Sequence, residues 1–313
     1  MKKHSVSILA AGVLWGFMGL FRRYMADIGV STAGVIILRC GVSTVFFAIT
    51  LLATDSSRFR VKLRDAWCFI GSGLCSLLFF SYCYFQAMTL MSLSAAVIFL
   101  YTAPPIVMIM SVFIFHEKLT VKKILALLMA FAGCVLVSGP VGSGGITAVG
   151  LLYGLGAGFG YALYSIFARL ALDRGYASNT VNFYSCLLAA IGASVIWGGA
   201  EPVRVMFASW GNAGLCVLSA LFTCYLPYLL YTYGLTGLEA GKASIMASVE
   251  LVVAAVIGVS VFKEPITPLA FIGIVLVLSA VVLLNVRNRE KTDKVSKGAT
   301  PPFFILFSPG VPY

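Results

Sequence analysis

Apolar residues in this chain come in ten blocks of 18 to 23 residues, separated by short polar joints. The blocks fall at 6–27, 33–53, 66–87, 93–115, 121–138, 148–168, 181–199, 214–233, 243–262 and 269–286. A bilayer core about 30 Å thick takes roughly 20 helical residues to cross, so each block predicts one transmembrane helix. No polar stretch is long enough to build a separate soluble domain. The front end, MKKHS, suits a signal peptide, but the first block leads directly into further spans without a small-residue cleavage site. It is expected to remain as the first span. The pattern therefore predicts an all-α integral membrane protein of ten transmembrane helices.

Laid over itself, the chain repeats. Residues 84–120 match 231–267 at a constant offset of 147, so Tyr84 meets Tyr231, Phe115-His116-Glu117 meets Phe262-Lys263-Glu264, and Thr120 meets Thr267. Gly12-xxx-Gly16 meets Gly156-xxx-Gly160 at 144, and Asp27-x-Gly29 meets Asp173-x-Gly175 at 146. The shared order along both halves marks an internal repeat. The expected organisation is a first repeat over 1–144, a second over 145–288 and a disordered tail over 289–313. Five spans per repeat is an odd number, so the second enters the membrane inverted. Inverted repeats are a common plan of secondary transporters, with a substrate site at their interface near the midplane.

Composition agrees and charge adds orientation. Hydrophobic residues make up 60% of the chain and charged residues 11%, against about 25% charged in a soluble domain. The net charge of +11 would suit nucleic acid if it were clustered on a soluble face. Instead, with the N-terminus inside, 17 of the 22 Lys and Arg fall on one side of the membrane. The positive-inside rule puts both termini in the cytoplasm of a cell (plasma or inner) membrane, and the basic clusters, such as Arg58, Arg60, Lys62 and Arg64, read as topology signals at the headgroups. All eight cysteines lie in apolar spans and only His4 and His116 are present, so no metal site or cofactor is expected.

Leu14-Trp15-Gly16 in span one, Leu38-Arg39 in span two, and the paired segments FHEKLT at 115–120 and FKEPIT at 262–267 resemble the drug/metabolite transporter superfamily, and within it the ten-helix EamA-type transporters, over residues 5–288. The resemblance implies a bundle around a central cavity lined by the first four helices of each repeat, with the fifth helix of each at the periphery. It also implies an exporter of amino acids, related metabolites or drugs. Many such proteins carry Glu-Pro in span nine, whereas here the acid is in Glu250-Leu251 and the proline in Ala103-Pro104 of the matching position. Equal bending of spans four and nine is thus not assumed.

Of eleven acidic residues, Glu250 alone lies deep in an apolar block, roughly 10 to 18 Å from either helix end. A charge there costs several kcal/mol, so it faces a cavity, finds a partner or takes up a proton. It is a candidate for proton coupling or for pairing with a substrate amine. Arg39, six residues into span two, either snorkels or pairs with a substrate carboxylate. Tyr82, Tyr84, Tyr101, Tyr161, Tyr164, Tyr228 and Tyr231 offer rings and hydroxyls at cavity depth, and Trp15 joins them through the resemblance. Tyr225, Gln86 and Asn182 are secondary candidates, the last two near span ends. The glycine ladder Gly150, Gly154, Gly158 reads as close helix packing. The run GLGAGFG lacks the strand and the acidic residue of a dinucleotide loop, and no GxxxxGK[ST] element is present. An intramembrane enzyme lacks a catalytic set, since Glu250 has no second deep carboxylate beside it in the sequence. The expected partners are a small-molecule substrate and the lipid bilayer, with protons as the candidate coupling ion and the oligomeric state open. A flippase for a lipid-linked substrate is the alternative.

Overall fold

The computed structural model describes residues 2–91, 93–138, 147–263 and 267–285, and these form helices and short connections with no strand among them. In chain order the membrane helices are α1 (Lys3–Asp27), α2 (Thr32–Thr54), α3 (Leu63–Tyr84), α4 (Ala96–Phe115), α5 (Val121–Ser138), α6 (Ala148–Asp173), α7 (Ser178–Trp197), α8 (Trp210–Leu235), α9 (Ala240–Ser260) and α10 (Pro268–Asn285). Nine of them meet the length and apolarity needed to cross a bilayer. The tenth, α5, has 18 residues and carries Lys122 and Lys123 in its first turn. The segment Glu264-Pro265-Ile266 of the second polar joint and the tail from 286 onward lie outside the described residues.

Special backbone conformations recur at the repeat offset. Gly29 and Gly175 both adopt φ 86° just after α1 and α6, a left-handed turn that suits glycine because no Cβ collides with the carbonyl. His116 and Lys263 close α4 and α9 in the same left-handed region, at φ 52° and 56°. The third and eighth helices each contain a widened, π-helical stretch, Gly71–Leu78 in α3 and Leu221–Tyr225 in α8.

Helices α4 and α9 are both broken, and at matching places. The first half of α4 ends at Leu100 and its second half starts at Ala103, whose proline neighbours at 104 and 105 suit the first turn of a helix. In α9 the break falls at Ser248, between Ala240–Ala247 and Val249–Ser260. Proline is thus not required for a break. What the two breaks share is a glycine helix pressed against them. A Cβ on Gly12 would stand 2.9 Å from the Ala247 carbonyl oxygen, and one on Gly158 would stand 2.6 Å from that of Phe99. Backbone approach of this kind is the main way helices associate where lipid leaves no hydrophobic drive.

These contacts correct the glycine register. Gly12 corresponds to Gly158, at offset 146, rather than to Gly156. Gly156 and Gly160 lie on the face of α6 that meets Cys83, Phe79 and Phe80 of α3. The fifth helices, α5 and α10, pack on each other through Gly133 and Gly273. Other extensive pairs are α1 with α8 and α9, α2 with α7, α3 with α6 and α7, and α4 with α6 and α9, so every principal contact joins one half of the chain to the other.

Candidate functional site

The breaks in α4 and α9 bring polar backbone and side chains to the middle of the bundle. Glu250 is the second residue of the half-helix Val249–Ser260, where the positive end of a helix dipole favours a carboxylate. Its Oε1 accepts a hydrogen bond from the Tyr101 hydroxyl at 2.5 Å. A residue of the α4 break in the first half thereby caps the acid beside the α9 break in the second.

Next to this pair, Trp15, Tyr161, Tyr164, Tyr228 and Tyr231 surround a small cavity floored by Ala103, Val107, Ser165, Ser244 and Ala247. Its free volume, about 10 Å³, is roughly that of one water, so the centre is closed in this conformation. The Trp15 ring stands 5.3 Å from Tyr228 and 5.2 Å from Tyr231, and Tyr164 meets Tyr228 edge-on at 4.7 Å. Such tilted and edge-on arrangements are favoured by the ring quadrupoles. Hydroxyls are anchored behind the rings. Tyr164 donates to Asn182 Oδ1 at 2.6 Å, Thr232 donates to the same oxygen at 2.8 Å, and Ser165 Oγ is 2.7 Å from the Tyr231 hydroxyl.

Arg39 is buried, with 4% of its surface exposed. One Nη donates to the Met18 sulfur at 3.2 Å, while Nε has no partner. Beside it lies a second small cavity lined by Met18, Arg22, Ser81, Tyr84, Ser219 and Thr223. A buried guanidinium with an unmet donor is costly, and a carboxylate entering that cavity would satisfy it in the geometry arginine suits best. Tyr161 lies within electrostatic reach of both Glu250 and Arg39.

One end of the bundle, the end holding His4 and Asp173, is latched shut. Lys123 at the start of α5 pairs with Glu117 Oε2 at 3.6 Å and with Glu239 Oε2 at 2.5 Å. Glu117 Oε1 accepts from the Ala240 amide at 2.8 Å. Burial pushes the Glu117 carboxyl above its ordinary range, against the pull of the Ala240 amide and Lys123. Arg169 of α6 adds two bonds, to the carbonyls of Leu235 and Leu238 at 2.7 and 2.9 Å. The latch joins the first half's α4–α5 junction to the second half's α8–α9 turn.

Of the residues singled out in the sequence, Glu250, Tyr101, Trp15, Tyr161, Tyr164, Tyr228, Tyr231, Arg39 and Tyr84 come together along this central axis. Tyr82 does not. It is 36% exposed, stacked with Trp197 and edge-on to Tyr153 at the rim of α3, because a two-residue step from Tyr84 turns it about 200° round a helix. Tyr225 likewise bonds Thr50 against Phe46 and Phe47. Asn182, read as a span-end residue, is fully buried with an unpartnered Nδ2. Ser165, Thr232 and Ser244 were not singled out, and their signal was polarity inside an apolar block.

Comparison with known proteins bears on the family and the fold. The EamA-like transporter family matches the chain twice, over residues 3–139 and 148–286. A protein of Archaeoglobus fulgidus named an uncharacterized transporter is 24% identical over 283 residues, covering 90% of this chain and 96% of its own. The uncharacterized transporter YwfM of Bacillus subtilis is 22% identical over 290 residues, with 92% and 95% covered. A crystal structure that shares 16% identity superposes with a TM-score of 0.75 over 91% of this chain and 97% of that one, which extends the likeness to the fold.

Proposed function

The chain belongs to the EamA-like transporter family, and on that premise we propose that it is a secondary transporter exporting a small zwitterionic metabolite, of the amino-acid class, by alternating access. The observation that carries this reading is that one half-buried carboxylate, Glu250, and one buried guanidinium bearing an unmet donor, Arg39, both lie within electrostatic reach of Tyr161 in the aromatic cage. A zwitterion offers an ammonium for the first, a carboxylate for the second and an apolar side chain for the rings between them. Neither repeat alone supplies both charges.

In this reading residues 1–144 and 145–288 are inverted halves in the cell membrane, and both termini face the cytoplasm. The latch of Glu117, Lys123 and Glu239 is then the inner gate, held closed here. Glu250 is able to exchange its bound substrate ammonium for a proton, which couples export to a proton gradient. The test is flux into and out of proteoliposomes carrying a pH-sensitive dye, screened over amino acids, cationic drugs and other metabolites. The reading expects amino-acid flux accompanied by proton movement. Movement of drugs alone, or of no soluble compound, would reject the zwitterion class.

A further inference from the structure

A polar cleft in the described residues lies away from the transport axis, at the same end of the bundle as the latch. It has a volume of about 630 Å³ and is bordered by the α2–α3 connection and the α6–α7 turn. The connection reads Arg58-Phe59-Arg60-Val61-Lys62-Leu63-Arg64, with a basic residue at every second position. Arg60 and Lys62 have extended backbones, at φ −73° with ψ 119° and 131°. In an extended chain alternate residues share a face. Val61, between Arg60 and Lys62, packs against the core, which turns these two cations outward together, while Arg58 and Arg64 join the lining from the short 3-10 turns on either side.

The connection is held in place. Thr180 donates to the Arg58 carbonyl at 2.9 Å, Tyr184 to the Phe59 carbonyl at 2.7 Å, and the Lys62 amide donates to the Tyr176 hydroxyl at 3.1 Å. Tyr176 in turn donates to Asp65 Oδ2 at 2.8 Å, and Asp65, itself buried, holds Arg174 at 3.2 Å. The cleft is thus lined by five cations, Arg58, Arg60, Lys62, Arg64 and Arg174, and one carboxylate, Asp65. Asp65 is already engaged by Arg174 and Tyr176, and Arg58 by Asp55 outside the lining. Among the described residues Arg60 and Lys62 meet no carboxylate. A topology signal needs only charge on the correct side; it does not need a pinned loop that aligns cations on one face of a cleft.

We propose that this cleft is a binding site for a phosphodiester anion, supplied by the headgroup of an anionic phospholipid. The source follows from the apolar groups beside the cations. Leu63 is 91% exposed and Trp67 is 43% exposed beneath the Arg174 guanidinium, 4.7 Å from its ring centre. An exposed Leu and Trp next to a row of Arg and Lys match the boundary between headgroups and acyl chains. A site for free phosphate has no use for them. The bound lipid fastens the first half's α2–α3 connection to the second half's α6–α7 turn.

The experiment follows the thermal unfolding midpoint of the full protein in uncharged detergent micelles, titrated separately with phosphatidylglycerol, phosphatidylcholine and inorganic phosphate. Phosphatidylglycerol is expected to raise the midpoint saturably, and the other two are not. The double variant R60Q/K62Q, which removes no internal contact, is expected to bind phosphatidylglycerol roughly thirtyfold more weakly, at about fivefold per cation. Lys118→Gln, at the same end but outside the cleft, keeps the native response. The proposal is overturned if phosphatidylcholine works equally well, if inorganic phosphate reproduces the shift, or if R60Q/K62Q responds like the native protein or like Lys118→Gln.

Discussion

In the first half of the chain the backbone turns left-handed at Gly29 and His116 and breaks in α4 at 101–102; in the second half it does so at Gly175 and Lys263 and breaks in α9 at Ser248. At these same offsets of 146 to 147 the side chains diverge. In register, Trp15 corresponds to Tyr161, Met18 to Tyr164, Ile36 to Asn182, Arg39 to Ser185, Ser81 to Tyr228, and Ala103 to Glu250. Where the first half buries a guanidinium, the second places a serine that bonds Ser72. The backbone is set by small residues and helix ends, and two copies of those pack equally well. A substrate with unlike ends needs unlike groups, and only the divergent positions supply them.

Removing the latch is expected to produce the largest asymmetry. Lys123→Met leaves the buried Glu117 carboxylate without its cation, a loss of about 3 kcal/mol for the closed end, whereas the opposite end is untouched. A solvent-sensitive dye on Leu119→Cys, in a Cys75→Ser background that removes the exposed thiol, should shift to the wetter signal in the variant. The same dye reports pH. Because Glu117 holds its proton more tightly when buried in the latch than when exposed, closure strengthens as pH falls through that raised value and weakens above it. Lys123 and Glu239 are the charged groups that face Glu117 in the latch. A dye signal that moves toward wetter on acidification contradicts the assignment.

The glycine register gives a smaller effect, about 2 kcal/mol from overpacking. Gly12→Ala and Gly158→Ala place a methyl against backbone carbonyls of the broken helices, so both should lower the thermal midpoint by similar amounts. Gly156→Ala meets only the Cys83 side chain at 3.1 Å and the Phe79 ring and should cost less. If Gly156→Ala is the more damaging, the 146 register is wrong. Smallest of all is Tyr82→Leu, at the rim, which should leave flux within twofold of native.

Much of this architecture was legible in the pattern of apolar residues. Ten blocks gave ten helices to within a few residues at most ends, and the run 84–120 against 231–267 located the helix ends at His116 and Lys263. Depth alone singled out Glu250. Rotation about a helix axis was not legible. Tyr82 and Tyr84 look equivalent in sequence, but the helix turns one outward. Asn182 looked peripheral because it starts an apolar block, yet α7 begins four residues earlier at Ser178 and carries it inward. Glycines are too frequent in these helices for spacing alone to choose between offsets of 144 and 146. The breaks left no consistent mark either, since one has prolines and the other has none.

The central claim is that Glu250 and Arg39 read opposite ends of one substrate, and flux of a transported amino acid, its methyl ester and its N-acetyl derivative tests it most directly. Native protein should prefer the free amino acid to both derivatives. Arg39→Gln should abolish only the preference over the methyl ester, and Glu250→Gln only the preference over the N-acetyl derivative, each by about thirtyfold, as expected for an unpaired charge–charge contact of about 2 kcal/mol. If both variants, folded and inserted, lose the two preferences together or keep both, the two residues do not divide the substrate between them.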